Sequence, residues 1–348
     1  VYGFGVKPDL PTASKATVIT TPWFFTSDIK PTNVSLVIPL TTLNTHLAND
    51  EITDQKKDLA EAKRLTNLII NQDPTKISWL QDSALLPWLD QLEKVADSDV
   101  PEKLRAALSG LAPSTAMLPY GHADLTALVR ADQQDGLTDA INQTRLASGD
   151  RQIFYTPTQG IADRETVSLL TQQGVRSIVS NDFLRGNERE TTSAVVTSAS
   201  NPVLVHDLGT SSCLPSADKD DASFFAAITC IKSEIGMMTA ESPQNSRTVI
   251  VLAPTKWKIS NERLSALLSV LSDHNWMQLT TLDLVAATAP TENYVATQSA
   301  DPADFSRALV RQAQNLKVNT ESVSALYDDQ ELAAGFTAAR ILGYSELW

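Results

Sequence analysis

The sequence predicts an α/β protein built on an irregular seven-stranded (β/α) barrel, followed by a C-terminal helical appendage. Three observations point there. Strand-sized apolar runs alternate with helix-period segments along most of the chain, a rhythm that right-handed crossovers turn into a parallel sheet. Several of the runs are apolar on consecutive residues, as strands buried on both faces are. No G-x-G-x-x-G follows the first run, which disfavours a dinucleotide-binding sheet. Seven or eight repeats over roughly 250 residues close into a barrel more readily than they spread into an open sheet.

Taken in order, strands are expected at 34–40 (VSLVIPL), 76–80, 115–119, 152–156, 175–180, 202–206 and 248–253, with a weaker one at 276–280. Helical spacing is read between them at 58–72, 83–96, 136–148, 163–174, 221–238 and 260–274. Asp163 and Ser260 stand where N-caps belong, and Gly174 stands just past a helix end. Residues 1–30 hold one strand-like run among Pro8, Pro11 and Pro22 and read as an irregular lead-in. The barrel is then expected over 31–290. Residues 291–348 form the appendage, with helices at 303–316, 319–328 and 329–343. The ending after "ARILGYSELW" reads as cut from a longer, membrane-anchored protein.

Composition narrows the function. The chain of 348 residues is 42% hydrophobic and 20% charged, with a net charge of −13, enough apolar content for a sizeable core. That charge, with no basic cluster, opposes binding to nucleic acid or anionic lipid. No apolar run has membrane-spanning length. Cys213 and Cys230 flank a polar loop and a helix-like stretch. They form a disulfide in an oxidising compartment, or remain two buried thiols. A Ser/Thr-rich, Cys-poor chain suits export and favours the disulfide.

In a β/α barrel, functional groups come from the carboxyl ends of the strands. That rule selects Asp82 after the second strand, then Tyr120, His122 and Asp124 after the third, in "LPYGHADLTAL". The fourth offers Tyr155, Thr158 and Gln159, and the fifth Asn181 and Asp182. His206 and Asp207 follow the sixth, Lys256 and Trp257 the seventh. Each has a plainer reading. Asp82 and Asp124 are placed to cap helices, and Asp182 and the His206–Asp207 pair suit turns. Trp257 suits a lid or the core as well as a sugar platform, and His46 and His274 read as surface residues.

Specific catalytic signatures are missing: no H-E-x-x-H, C-x-x-C, phosphate-binding loop or G-x-S-x-G occurs. A zinc site from His122, His206 and Asp124 or Asp207 requires the third and sixth strands to meet, and neither a metal nor another cofactor is expected. Glycoside hydrolysis needs two carboxyl groups. Asp82, Asp124, Asp182 and Asp207 are candidates, but no Glu stands at these strand ends.

The succession "ISWLQDSALL", "LPYGHADLTALVR", "PTQGIADRETVSLLTQQGVRSIVSND" and "VIVLAPTKWKISNERLSALLSVLSDHNWMQLTTLDLV" resembles a family of actinobacterial envelope proteins encoded beside the lipid II flippase. That resemblance, over about residues 20–348, implies an exported protein held by a C-terminal membrane helix, extracytoplasmic and attached to the plasma membrane. The same segments more remotely resemble the glycoside hydrolase/deacetylase superfamily, an irregular seven-stranded β/α barrel. Where the hydrolase branch has its catalytic Glu, this sequence has Thr158 or Gln159. The acid after the seventh strand is not evident in "APTKWK", and the deacetylase branch's first-strand Asp and H-x-x-x-H are also missing.

The expectation is therefore a catalytically inactive barrel acting as a binding or scaffolding module in cell-wall synthesis. Its partner is a cell-wall glycan, a lipid-linked precursor or a membrane protein of that synthesis. The binding set is Asp82, Tyr120, His122, Asp124, Tyr155, Gln159, Asp182, His206, Asp207 and Trp257. The alternative is an active carbohydrate hydrolase or deacetylase using Asp124 and Asp182, assisted by His122 or His206. A third reading is a protein-interaction subunit with a plugged barrel mouth.

Overall fold

In the computed structural model the described residues are 2–6, 17–21, 29–42, 52, 54–111, 115–157, 160–181, 194–198, 201–290, 293–294, 310, 312, 315, 317 and 330–345. Strands β1 (Tyr2–Val6) and β2 (Thr17–Thr21) form an antiparallel pair. The barrel begins with β3 (Thr32–Leu40), buried at nearly every residue. Then come α1 (Gln55–Ile69), β4 (Ser78–Asp82), α2 (Leu85–Val95), α3 (Val100–Gly110) and β5 (Thr115–Leu118). Next are α4 (Leu125–Arg130), α5 (Gln134–Ser148), β6 (Ile153–Tyr155), α6 (Arg164–Gln172), β7 (Val175–Ser180), β8 (Val195–Ser198) and β9 (Asn201–His206). The chain continues through α7 (Leu208–Ser212), α8 (Asp221–Glu241), β10 (Thr248–Leu252), α9 (Asn261–Ser272), β11 (Met277–Leu279), α10 (Leu282–Ala286), β12 (Asn293–Tyr294) and α11 (Gln330–Leu342).

Seven parallel strands close on themselves in the order β3-β4-β5-β6-β7-β9-β10. The ring shuts where β10 pairs with both β3, at Val249 opposite Val34, and β9, at Ile250 opposite His206. Side chains alternate across each strand. One apolar cluster accordingly takes a residue from every ring strand: Val37, Leu80, Leu118, Phe154, Ile178, Leu204 and Ile250. Leu282 and Val285 of α10 join the same cluster. The neighbouring positions of β3, β4 and β10 (Leu36, Ile38, Trp79, Val249, Val251) instead pack in a cluster with α1, α8 and α9. The interior is thus a packed core, and any cavity is left to the strand ends.

The seven expected strands are the ring strands. The weaker run becomes β11, which pairs with Thr32–Val34 of β3 beside the Val37–Leu40 segment taken by β4. Several described elements were not anticipated, β1, β12, α7 and α10 among them, as well as β8 and α3. The four-residue β8 runs antiparallel to β9 outside the ring, and α3 adds a second helix to the β4–β5 crossover. The helices expected at 303–316 and 319–328 fall largely outside the described residues, as does His46.

Cys213 and Cys230 form a disulfide across a Cα separation of 5.7 Å, tying the end of α7 to the middle of α8. Opening a loop of this length in the unfolded chain costs about 3 kcal/mol of stability. The double variant Cys213→Ser/Cys230→Ser is expected to show that loss in urea unfolding. An unchanged midpoint would mean that the bond adds no constraint.

Candidate functional site

The carboxyl ends of β5, β6, β9 and β10 surround a cavity of about 520 Å³, within the roughly 300–1,000 Å³ range of small-molecule sites. His122, Thr156, His206, Ser211, Thr255 and Lys256 line it. Among the described residues, no carboxylate does.

His122 sits on a single 3₁₀ turn, Tyr120–His122, directly after β5. Gly121 has φ +61 and His122 itself φ +52, the left-handed region that a non-glycine residue enters only when its surroundings hold it there. Two sides hold this turn. From the barrel, Oδ1 of Asp82 accepts the backbone N–H of Gly121 at 2.9 Å and that of Ala84 at 2.9 Å. From outside, the side chain of Leu342 on α11 lies so close that a Cβ at Gly121 would meet its Cδ2 at 2.5 Å. The following strap is fixed too: the Asp124 N–H donates to the Tyr344 carbonyl at 2.8 Å. Asp139 on α5 accepts from Arg340 and, at 3.1 Å, from Lys317, pinning the C-terminal helix to the barrel.

Burial sets the charge state here. It pushes the Asp82 carboxyl up to about 7, against the pull of the Ala84, Gly121 and His122 backbone N–H groups. It pushes the His122 imidazole down to about 4, so His122 is neutral at pH 7. Its Nε2 lies 3.3 Å from Thr156 Oγ1.

His206 ends β9 with Nδ1 3.3 Å from Ser211 Oγ, and that hydroxyl accepts the Leu252 N–H at 3.0 Å. Gly160 crosses in front at φ +71; a Cβ there would stand 2.9 Å from His206 Nε2. Asp207 does not face the cavity as a reactant. Its Oδ1 caps α7 through the Thr210 N–H at 2.7 Å, and its Oδ2 accepts from Asn181 Nδ2 at 2.7 Å.

The remaining predicted residues divide clearly. Asp124 caps α4 through the Ala127 N–H at 2.8 Å and accepts the Tyr155 hydroxyl at 3.1 Å. Tyr120 and Tyr155 are buried in the apolar cluster under α4 and α11. Trp257 is a core residue rather than a platform: it packs with α1 and α9, and its described bonds are made by backbone, the N–H donating to the Pro254 carbonyl at 3.1 Å and the carbonyl accepting from Arg64 at 3.2 Å. Asp82 differs from the cap expected of it. It precedes α2 by too many residues to cap it, since the N-cap is Ala84, without a side-chain bond. Gln159, Thr158 and Asp182 lie outside the described residues. Thr156, Ser211 and Thr255 were not anticipated; the "TSS" of α7 lies a turn beyond the strand end, where the strand-end rule does not look. Glu234 on α8 was also missed. Burial and then the neighbouring Asp207 raise its pKa, and both carboxylates flank Gly209 at 3.2–3.3 Å from where its Cβ would be. Among the described residues no three His, Cys, Asp or Glu side chains group to hold a metal ion.

A closed parallel ring with its cavity at the strand ends is the architecture of the glycoside hydrolase/deacetylase barrels, and this chain has that fold. The alpha-amylase AmyC from Thermotoga maritima is similar at TM-score 0.57 and 8% identity, over 88% of this chain and 87% of that one. An exo-type maltose-forming amylase from Pyrococcus sp. ST04 is similar at TM-score 0.57 and 7% identity, over 79% of this chain and 53% of that one. A probable polysaccharide deacetylase from Pseudomonas aeruginosa PAO1 overlaps at TM-score 0.45 and 12% identity, over 73% of this chain and 89% of that one. The chain itself belongs to DUF6049, a family of unknown function, which it matches over residues 5–344. Comparison with the curated proteins finds no match.

Proposed function

We propose that this protein is a non-catalytic glycan-binding barrel of the cell envelope, extracytoplasmic and membrane-attached in its full-length form, serving cell-wall synthesis in actinobacteria. One observation carries the reading. The described strand-end carboxylates, Asp82, Asp124 and Asp207, are all engaged in holding backbone, while the polar groups on the described cavity lining are hydroxyls, two imidazoles and an ammonium, set among Pro157, Leu208, Leu252 and Pro254. Such a lining hydrogen-bonds ring hydroxyls. It does not supply the nucleophile and acid that glycoside cleavage requires. The similarity to amylases supports a glycan as ligand, and the disulfide supports an oxidising compartment.

The test is incubation with soluble peptidoglycan and arabinogalactan fragments. Binding at the mouth with the fragments recovered intact is the expected result. Turnover that disappears in Asp124→Asn would replace the reading with a hydrolase. Glu234, whose carboxyl is raised by burial and by the neighbouring Asp207, favours a second reading, in which it serves as general acid. That reading requires turnover lost in Glu234→Gln.

A further inference from the structure

We infer that the barrel mouth takes an acidic sugar, one bearing a carboxylate or phosphate, in preference to a neutral one. The inference rests on the glycan-binding reading and names its ligand class. The chain carries 41 acidic against 28 basic residues, yet the described lining of the 520 Å³ cavity contains Lys256, His122 and His206 and no acid. Described acids stand close by but outside the lining, Glu234 and Asp207 beside Gly209 among them. Asp207 immediately follows His206 and spends its oxygens on the start of α7 and on Asn181. Asp82 is buried behind the His122 turn and bonds its backbone. An anion in the cavity therefore meets Lys256 at the rim and the hydroxyls of Thr156, Ser211 and Thr255, all on the lining. In a strongly acidic molecule, a cavity whose described lining holds no acid is where an anionic ligand meets less repulsion. The hydroxyls and imidazoles remain to hydrogen-bond the sugar ring.

The probes are cellobiouronic acid against cellobiose, glucose 1-phosphate against glucose, and inorganic phosphate alone, each titrated calorimetrically. One or both acidic sugars should bind at least tenfold more tightly than the neutral counterpart. The preference should shrink in 500 mM salt and vanish in Lys256→Gln, an exposed position. Which acidic sugar wins separates a uronate from a phosphate ligand. Neutral sugars bound equally well would overturn the acidic preference and leave glycan binding standing, whereas no sugar bound at all would overturn both. Phosphate alone binding as tightly as glucose 1-phosphate, or a preference that survives Lys256→Gln, would also overturn the inference.

Discussion

Replacing Gly160 by alanine is expected to cost about 3 kcal/mol of stability and to abolish binding at the mouth. The left-handed backbone at φ +71 penalises any side chain by roughly 1–2 kcal/mol. The added Cβ would stand 2.5 Å from Ser180 Cβ, 2.9 Å from the Ser180 backbone N and 2.9 Å from His206 Nε2. Ser180 cannot retreat easily, because it is paired in register with His206 between β7 and β9. Overpacking of this kind adds about 1–3 kcal/mol, and the easiest relief is displacement of the imidazole. Gly174→Ala is the matched control: it has the same φ of +71, but its nearest neighbour is an arginine end at 3.8 Å. Urea unfolding should therefore rank Gly160→Ala well below Gly174→Ala. Equal losses would mean that backbone conformation alone, and no close approach to His206, explains the glycine.

Asp82→Asn is expected to reshape the dependence of stability on pH. A carboxyl raised from 3.8 to about 7 on folding contributes stability that is fully present below pH 3.8 and lost as pH rises through 7. An imidazole lowered from 6.5 to about 4 contributes stability present above pH 6.5 and lost as pH falls through 4. Between about pH 4 and 6.5 the two slopes oppose each other, so wild type is nearly flat in this pair. Asparagine still accepts the Ala84 and Gly121 N–H bonds but cannot ionise. The variant should be more stable than wild type at pH 8, with an advantage that fades on acidification. The His122 contribution to its stability should fall by on the order of 3 kcal/mol between pH 7 and 4. Parallel wild-type and variant profiles would contradict this assignment.

What could be read from sequence was local. "VSLVIPL" and "TVIVL" announce strands buried on both faces, and the caps of Asp124, Asp163 and Ser260 are contacts three residues long. Misses came from short or non-local features. β8 is four residues inside a Ser/Thr-rich stretch, too short for alternation to register. The α3 segment lacks a strand before it, so a reading of one helix per crossover passed over it. Asp82 looked like a cap because it precedes a helical run. Its decisive partner is Gly121, 39 residues away, and no spacing announces such a bond. The left-handed His122 and the approach of Gly160 to His206 are likewise consequences of closure. Sequence thus located the site at the strand ends. It did not distinguish residues that face the cavity, such as His122 and His206, from those that brace it, such as Asp82, Asp124 and Tyr155.

Imidazole NMR during titration with cell-wall glycan fragments shows whether the mouth binds a glycan without cleaving it. The His122 and His206 ring signals are expected to shift together and saturably, while mass analysis of the same sample recovers every fragment unchanged. Shortened or deacetylated fragments, or saturable binding that leaves both rings unmoved, would contradict non-cleaving binding at the mouth.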